Sequence, residues 1–219
     1  MGFTEGLQSK KPCANRRSGY GTDAMGLMEY PEGATPLTPE ELDGLRLPHI
    51  STRSELDRWE QENILEAESW VARLKRRALL EEAFLLELHR RMFGKVWTWV
   101  GRFRTTGKSI GVPVWDIGPK LRGLCQDMEM WRKVEAYPPD EACARFHHRL
   151  VSIHPFANGN GRHARLMVDL LLEKLYGRPR FSWGSGILGQ PGACRSQYIA
   201  ALRAADGRDL SPLLAFVRA

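Results

Sequence analysis

His154, Asn158, Gly159, Asn160, Gly161, Arg162 and Arg165 crowd into one short stretch, HPFANGNGRHAR, residues 154–165. Each residue type brings a different capability. A histidine titrates near neutrality and can take a proton from a hydroxyl. Glycines at 159 and 161 let an anion approach the backbone closely, and N–H groups at a helix start attract negative charge. Asn160 tolerates a left-handed conformation and can donate a hydrogen bond. Arg162 and Arg165, three apart on a first helical turn, can face one phosphate-bearing ligand. Phe156, the apolar residue of the stretch, pins it to the core. Taken singly, each feature has a plainer reading: a Gly-Asn-Gly helix cap, a core histidine, a solvated arginine face. Their density favours an anion site with a base beside it. A metal reading of His147, His148, His154 and His163 is weaker. His147 and His154 stand two helical turns apart, and no HExxH spacing appears.

Such a loop needs helices on both sides. Pro139–Ile153 carries Phe146, Leu150 and Ile153 at helical spacing, and a second helix starts near Arg162 and runs to Tyr176. Upstream, Thr38-Pro39-Glu40-Glu41 is a helix start, with Thr38 as cap and Glu41 reaching back. Thr52 with Glu55 repeats the capping box before a helix extending to about Arg77, with Leu56, Trp59, Asn63, Ala67, Trp70 and Leu74 as its recurrent positions. Further helices fit 81–93, closed by Gly94, 120–131, 196–205 and 211–218. From Val96 to about Asp116, aromatic and β-branched residues mix with Gly107, Gly111 and Pro113, which predicts a short β-hairpin or extended flap. The fold class is therefore mainly α, a helical bundle with that flap.

The 219 residues suffice for one substantial core. With 42% hydrophobic and 26% charged residues, the composition is that of a soluble globular chain. No apolar run reaches membrane-spanning length, and the start has no signal-peptide pattern. The net charge of +6 suits a phosphate-bearing ligand and decides nothing alone. Cys13, Cys125, Cys143 and Cys194 have no CxxC spacing, which favours a reducing, cytoplasmic setting over disulfides or zinc. Residues 1–28, with Lys10, Lys11, Arg16 and Arg17, read as a basic disordered segment. YPEGATPL follows as an extended arm.

The 154–165 stretch closely resembles the signature of the Fic family, HPFx(D/E/N)GNGRxxR. Residues His154, Pro155, Phe156, Asn158, Gly159, Asn160, Gly161, Arg162 and Arg165 fill every fixed position. HRRMFGKVWTWVGRFR resembles the family's helix leading into its flap, and YIAALRAADGRDLSPLLAF its closing helices. From about Tyr30 the chain resembles the subgroup named mobile mystery protein B. The resemblance implies a Fic domain over 29–219 with an N-terminal helical extension and a catalytic core from about 80. It implies a protein AMP-transferase using ATP and Mg²⁺, with His154 as base on a Ser, Thr or Tyr hydroxyl. Residues 159–161 would cradle the phosphates, and Arg162 and Arg165 would neutralise them. Asn158 stands at the metal position, where an acidic residue is common, implying weaker Mg²⁺ affinity. Ser109, Ile110, Gly111 and Val112 would dock the target protein by β-augmentation. The family's inhibitory helix ends in Glu-Gly or Glu-Asn. Glu62-Asn63 reproduces that pair, with Arg58 at the Ser/Thr position, and Glu62 would then pair with Arg165. Glu62 equally fits an ordinary position on a charge-laced helix. The subgroup also implies a small helix-turn-helix regulatory partner, and neither membrane nor direct nucleic-acid binding is expected. A Doc-like kinase usually has Lys where Gly161 stands here. That kinase and a nucleotide-binding regulatory module are the alternatives.

Overall fold

In the computed structural model, residues 35–74, 79–186, 188 and 192–219 are described. The expectations for residues 1–28, for the arm up to Ala34, and for helix beyond Leu74 lie outside them. Eight α-helices are described: α1 (Pro39–Leu42), α2 (Arg53–Ala72), α3 (Glu82–Phe93), α4 (Ile117–Lys133), α5 (Pro139–Ile153), α6 (Asn160–Leu171), α7 (Ala193–Asp206) and α8 (Ser211–Arg218).

Local rules explain most boundaries. Both capping boxes form: Thr38 and Thr52 accept from the backbone of Glu41 and Glu55, whose carboxylates return the contact. Pro139 opens α5 at a position whose N–H has no helical partner anyway. α6 is the central helix, buried almost without interruption from His163 to Leu171. It packs against α5 and α3, while α4 and α8 cover α5, α2 lies on α3, and α7 lies on α8. A π-helical turn, Leu172–Tyr176, extends α6 to left-handed Gly177.

Two expectations are corrected. On α2 the buried face is Leu56, Glu60, Asn63, Ile64, Ala67 and Val71, while Trp59 is exposed. A glutamate, not a tryptophan, turns inward, because ionic and hydrogen-bond partners await it there. The hairpin over 96–116 does not form either. Among the described residues the segment has only an isolated bridge between Leu45 and Trp97. Its backbone groups are used elsewhere. Arg104 N–H donates to the Pro155 carbonyl (2.9 Å), Val112 N–H to that of Ile153 (3.3 Å), and Arg46 N–H to that of Val96 (2.8 Å). The flap is a loop stitched to the α5–α6 junction, and its β-forming residue types yield to those tertiary bonds.

Candidate active site

α5 ends where His154 takes a left-handed conformation, φ 53°. One side chain then closes the loop to α6. Asn160 Oδ1 accepts from Phe156 N–H (2.9 Å) and Nδ2 donates to the Phe156 carbonyl (2.7 Å). Phe156 is fully buried and stacks on His89 at 3.7 Å between ring centroids. His89 Nδ1 accepts from Gly101 N–H (3.1 Å), so Nε2 carries the proton and donates to the Asn158 carbonyl (3.0 Å). Burial, then His163 and Arg162, hold the His89 pKa well below the usual value, so that ring is neutral.

The left-handed turn expected of Asn160 falls instead on Gly159, φ 80°, where a Cβ would come within 2.6 Å of the Phe93 ring. Only glycine fits. Asn160 begins α6 in helical conformation, with its amide spent on Phe156. No side chain caps α6. Its first-turn N–H groups at 160–162 thus have no intrahelical acceptor, the arrangement that binds anions.

His154 is 6% exposed. Arg104, buried, donates from Nε to its carbonyl at 2.7 Å and from Nη2 to that of Val112. Gly111, at φ 98°, passes close by, with no room for a Cβ that would stand 2.7 Å from the His154 Cβ and 2.8 Å from Arg104 Nη2. Burial, then the charges of Arg104 and Lys108, push the His154 pKa down to about 4. The near-neutral titration expected from the residue type does not hold. The ring is instead a neutral imidazole throughout the physiological range, and its Nε2 lies 3.2 Å from the Thr35 hydroxyl.

The two arginines are held differently. Arg162 Nη1 lies 2.7 Å from Glu60 Oε2, and its guanidinium covers the Phe93 ring at 4.9 Å. Glu60 is fully buried and accepts from Trp97 Nε1 at 2.6 Å. Arg165 hydrogen-bonds the Tyr198 hydroxyl and lies 5.8 Å from its ring centroid. A guanidinium only donates, so the hydroxyl accepts from Arg165 and gives its own proton to His147 Nε2, 2.8 Å away. Burial pushes the His147 pKa to about 3, leaving it a neutral acceptor. Asp169, one turn beyond Arg165, is pushed up to about 7 by burial, against hydrogen bonds from Trp183 and Phe181.

Other expectations land as follows. Glu62 is half exposed and pairs with Arg58 at 3.4 Å, so it does not reach Arg165. The carboxylate that α2 sends to the site is Glu60, two residues earlier, and its arginine is Arg162. Asn158 Oδ1 accepts from Gly159 N–H at 2.6 Å, while Nδ2 is buried without a partner among the described residues. No cluster of three or more His, Cys, Asp or Glu suited to a metal occurs there either. Ser109, Ile110 and Gly111 are exposed and Val112 half-buried. Thr35, Glu60, His89, Arg104 and Tyr198 were not picked from the sequence. Glu60 had a usable signal, since it shares a helical stripe with Leu56, Asn63 and Ala67.

His154, residues 158–162, Arg165 and Thr35 line one cleft of about 780 Å³, within the range of small-molecule sites. Residues 79–172 match the family model described as Fic/DOC family. Over this segment the chain resembles a Fic/DOC domain. Among similar proteins, "Protein adenylyltransferase fic-1" of Caenorhabditis briggsae is 35% identical over 139 residues, covering 61% of this chain and 25% of that protein. "Protein adenylyltransferase Fic" of Drosophila grimshawi is 36% identical over 137 residues, covering 61% and 27%. The chain thus spans about a quarter of the length of these relatives. A solved fragment of Fic-1 from C. elegans superposes with a TM-score of 0.57 at 28% identity, covering 78% of this chain and 49% of that one. The N-terminal FIC domain of Bep8 from Bartonella sp. 1-1C gives 0.61 at 16% identity, covering 80% and 94%, a likeness of fold. Within the matched residues 79–172 lie α3 to α6, hence His154, the uncapped start of α6 and both arginines. Thr35, Glu60 and Tyr198 reach it from outside.

Proposed function

We propose that this chain is a protein AMP-transferase, moving AMP from ATP to a Ser, Thr or Tyr hydroxyl of a target protein. The observation that carries this reading is a neutral His154, in hydroxyl reach, in the same cleft as an uncapped helix start flanked by two arginines. His154 Nε2 takes the hydroxyl proton, and the oxygen attacks the α-phosphorus. The N–H groups of residues 160–162 hold phosphate oxygens, and Arg162 and Arg165 offset their charge. The buried Asn158 Nδ2 adds a donor. Such catalysis is mostly positioning and charge stabilisation. Mg²⁺ fits only as an ion carried in by the triphosphate, since Asn158 offers one neutral oxygen already engaged by Gly159. When bound, the ion supplies further neutralisation of the phosphates.

We take 29–219 as one functional unit, because Thr35, Glu60 and Tyr198 complete the site from outside 79–172. The target docks along 109–112, where Ile110 and the neighbouring Trp115 are 45% and 76% exposed. Resemblance from Tyr30 onward supports the mobile mystery protein B subgroup and a helix-turn-helix regulatory partner, and free cysteines at 125, 143 and 194 support a cytoplasmic location. No helix among the described residues is long and apolar enough to cross a membrane. The test is transfer from ATP labelled at either phosphate. Label at the α-position should mark the target, with an added AMP by intact mass. Transfer of γ-label would give the site to Doc-like phosphorylation, and no transfer of either label would leave a binding module.

A further inference from the structure

The hydroxyl facing His154 belongs to the chain itself. Thr35 Oγ1 lies 3.2 Å from His154 Nε2. The three residues after it are anchored in succession. The Pro36 carbonyl accepts from Lys108 Nζ at 2.9 Å, Leu37 is buried, and Thr38 N–H donates to Glu41 Oε2 at 2.8 Å. Lys108 is itself tied to the Glu41 carboxylate, with its side chain 4% exposed, and Glu41 also accepts from the Thr106 hydroxyl at 2.7 Å. The arm is therefore clamped to the flap loop, and its first described residue lines the cleft with the α6 start.

We infer that Thr35 is an acceptor in cis: the chain places AMP on the hydroxyl of its own N-terminal arm. The inference rests on the AMP-transfer reading above and names one substrate of that site. The step uses the tautomer with the ring proton on Nδ1, on the side of the Val151 backbone, so that the Nε2 lone pair receives the proton of Thr35. Oγ1 then forms a bond to the α-phosphorus of ATP. The bond from that phosphorus to the bridging oxygen breaks, and pyrophosphate leaves with the electron pair. Intramolecular placement replaces a bimolecular encounter, an advantage that reaches roughly 10⁵–10⁸ M in effective concentration. A chain so placed takes one AMP, and a target hydroxyl reaches His154 only after the arm withdraws.

The experiment incubates the full chain with α-labelled ATP over a range of protein concentrations and maps the adduct by peptide fragmentation. AMP on Thr35, formed at a rate per molecule independent of protein concentration, is the expected result. Thr35→Ser should keep the label and Thr35→Val should lose it. AMP on other residues or on lysate proteins, with Thr35 unmodified, overturns this inference and leaves AMP transfer standing. A rate per molecule that rises with concentration overturns transfer in cis. No AMP on any protein overturns both readings.

Discussion

The α5–α6 junction lines the cleft directly and the buried inner face of α2 reaches it through Arg162, and the two are built on opposite logic. At the junction the chemistry is local. Asn160 closes the loop on Phe156, Gly159 makes the turn, and His154 ends the helix, all within seven residues. On α2, Glu60 acquires its role from Trp97 and Arg162, which stand far along the chain. A site can therefore have one half written in a short stretch and the other half chosen by tertiary contact.

Breaking the second half should cost a large share of the stability. Removing one partner of a buried ion pair costs about 3–5 kcal/mol. Glu60→Ala should fall near the lower end, because Arg162 keeps 23% side-chain exposure and water can reach it. Chemical denaturation should read this loss, and Arg162 should hold nucleotide more loosely. Stability within about 0.5 kcal/mol of wild type would make Glu60 a bystander.

Gly159→Ala sharpens the local half. A left-handed alanine costs roughly 1–2 kcal/mol, and crowding against Phe93 adds about 1–3 kcal/mol. A melting temperature several degrees lower, with nucleotide binding lost, is expected. Unchanged binding would mean the turn is not what shapes the anion site.

Acid should separate the halves less sharply. His89, His147, His154 and His163 all have folded pKa values below the ordinary 6.5 of histidine, burial being the first cause in each. The unfolded chain binds protons there first, so stability falls as pH drops below about 6.5. Asp169, raised to about 7, works the other way, since it is protonated in the fold and gains stability on acidification. Four groups against one predict a net loss. The urea midpoint should be lower at about pH 5 than at about pH 7. An equal or higher midpoint would show that these histidines are not buried neutral.

The smallest effect belongs to Glu62. As an exposed i,i+4 partner of Arg58 it contributes about 0.3–0.5 kcal/mol, and Glu62→Gly should leave self-modification with α-labelled ATP unchanged. A marked rise would restore it as a brake.

The contrast also explains what the sequence made legible. Capping boxes at Thr38 and Thr52, the α5 limits and the 154–165 stretch depend on neighbours within a turn or two, and they were readable. The inward turn of Glu60 rather than Trp59, the loop form of 96–116 and the depressed His154 pKa depend on Arg162, Pro155 and Arg104. Spacing rules do not see such partners. Periodicity placed a tryptophan in the core because burial of a carboxylate is favourable only when its partner is known.

The most direct test of the account is His154→Ala, assayed for AMP transfer and ATP binding side by side. In the proposed mechanism the imidazole acts on the hydroxyl, while residues 160–162 and the arginines hold the phosphates. Transfer should fall by about 10²–10⁴-fold with ATP affinity nearly intact. Transfer at near wild-type rate, with the nucleotide still bound, would contradict the assignment of His154 as the base.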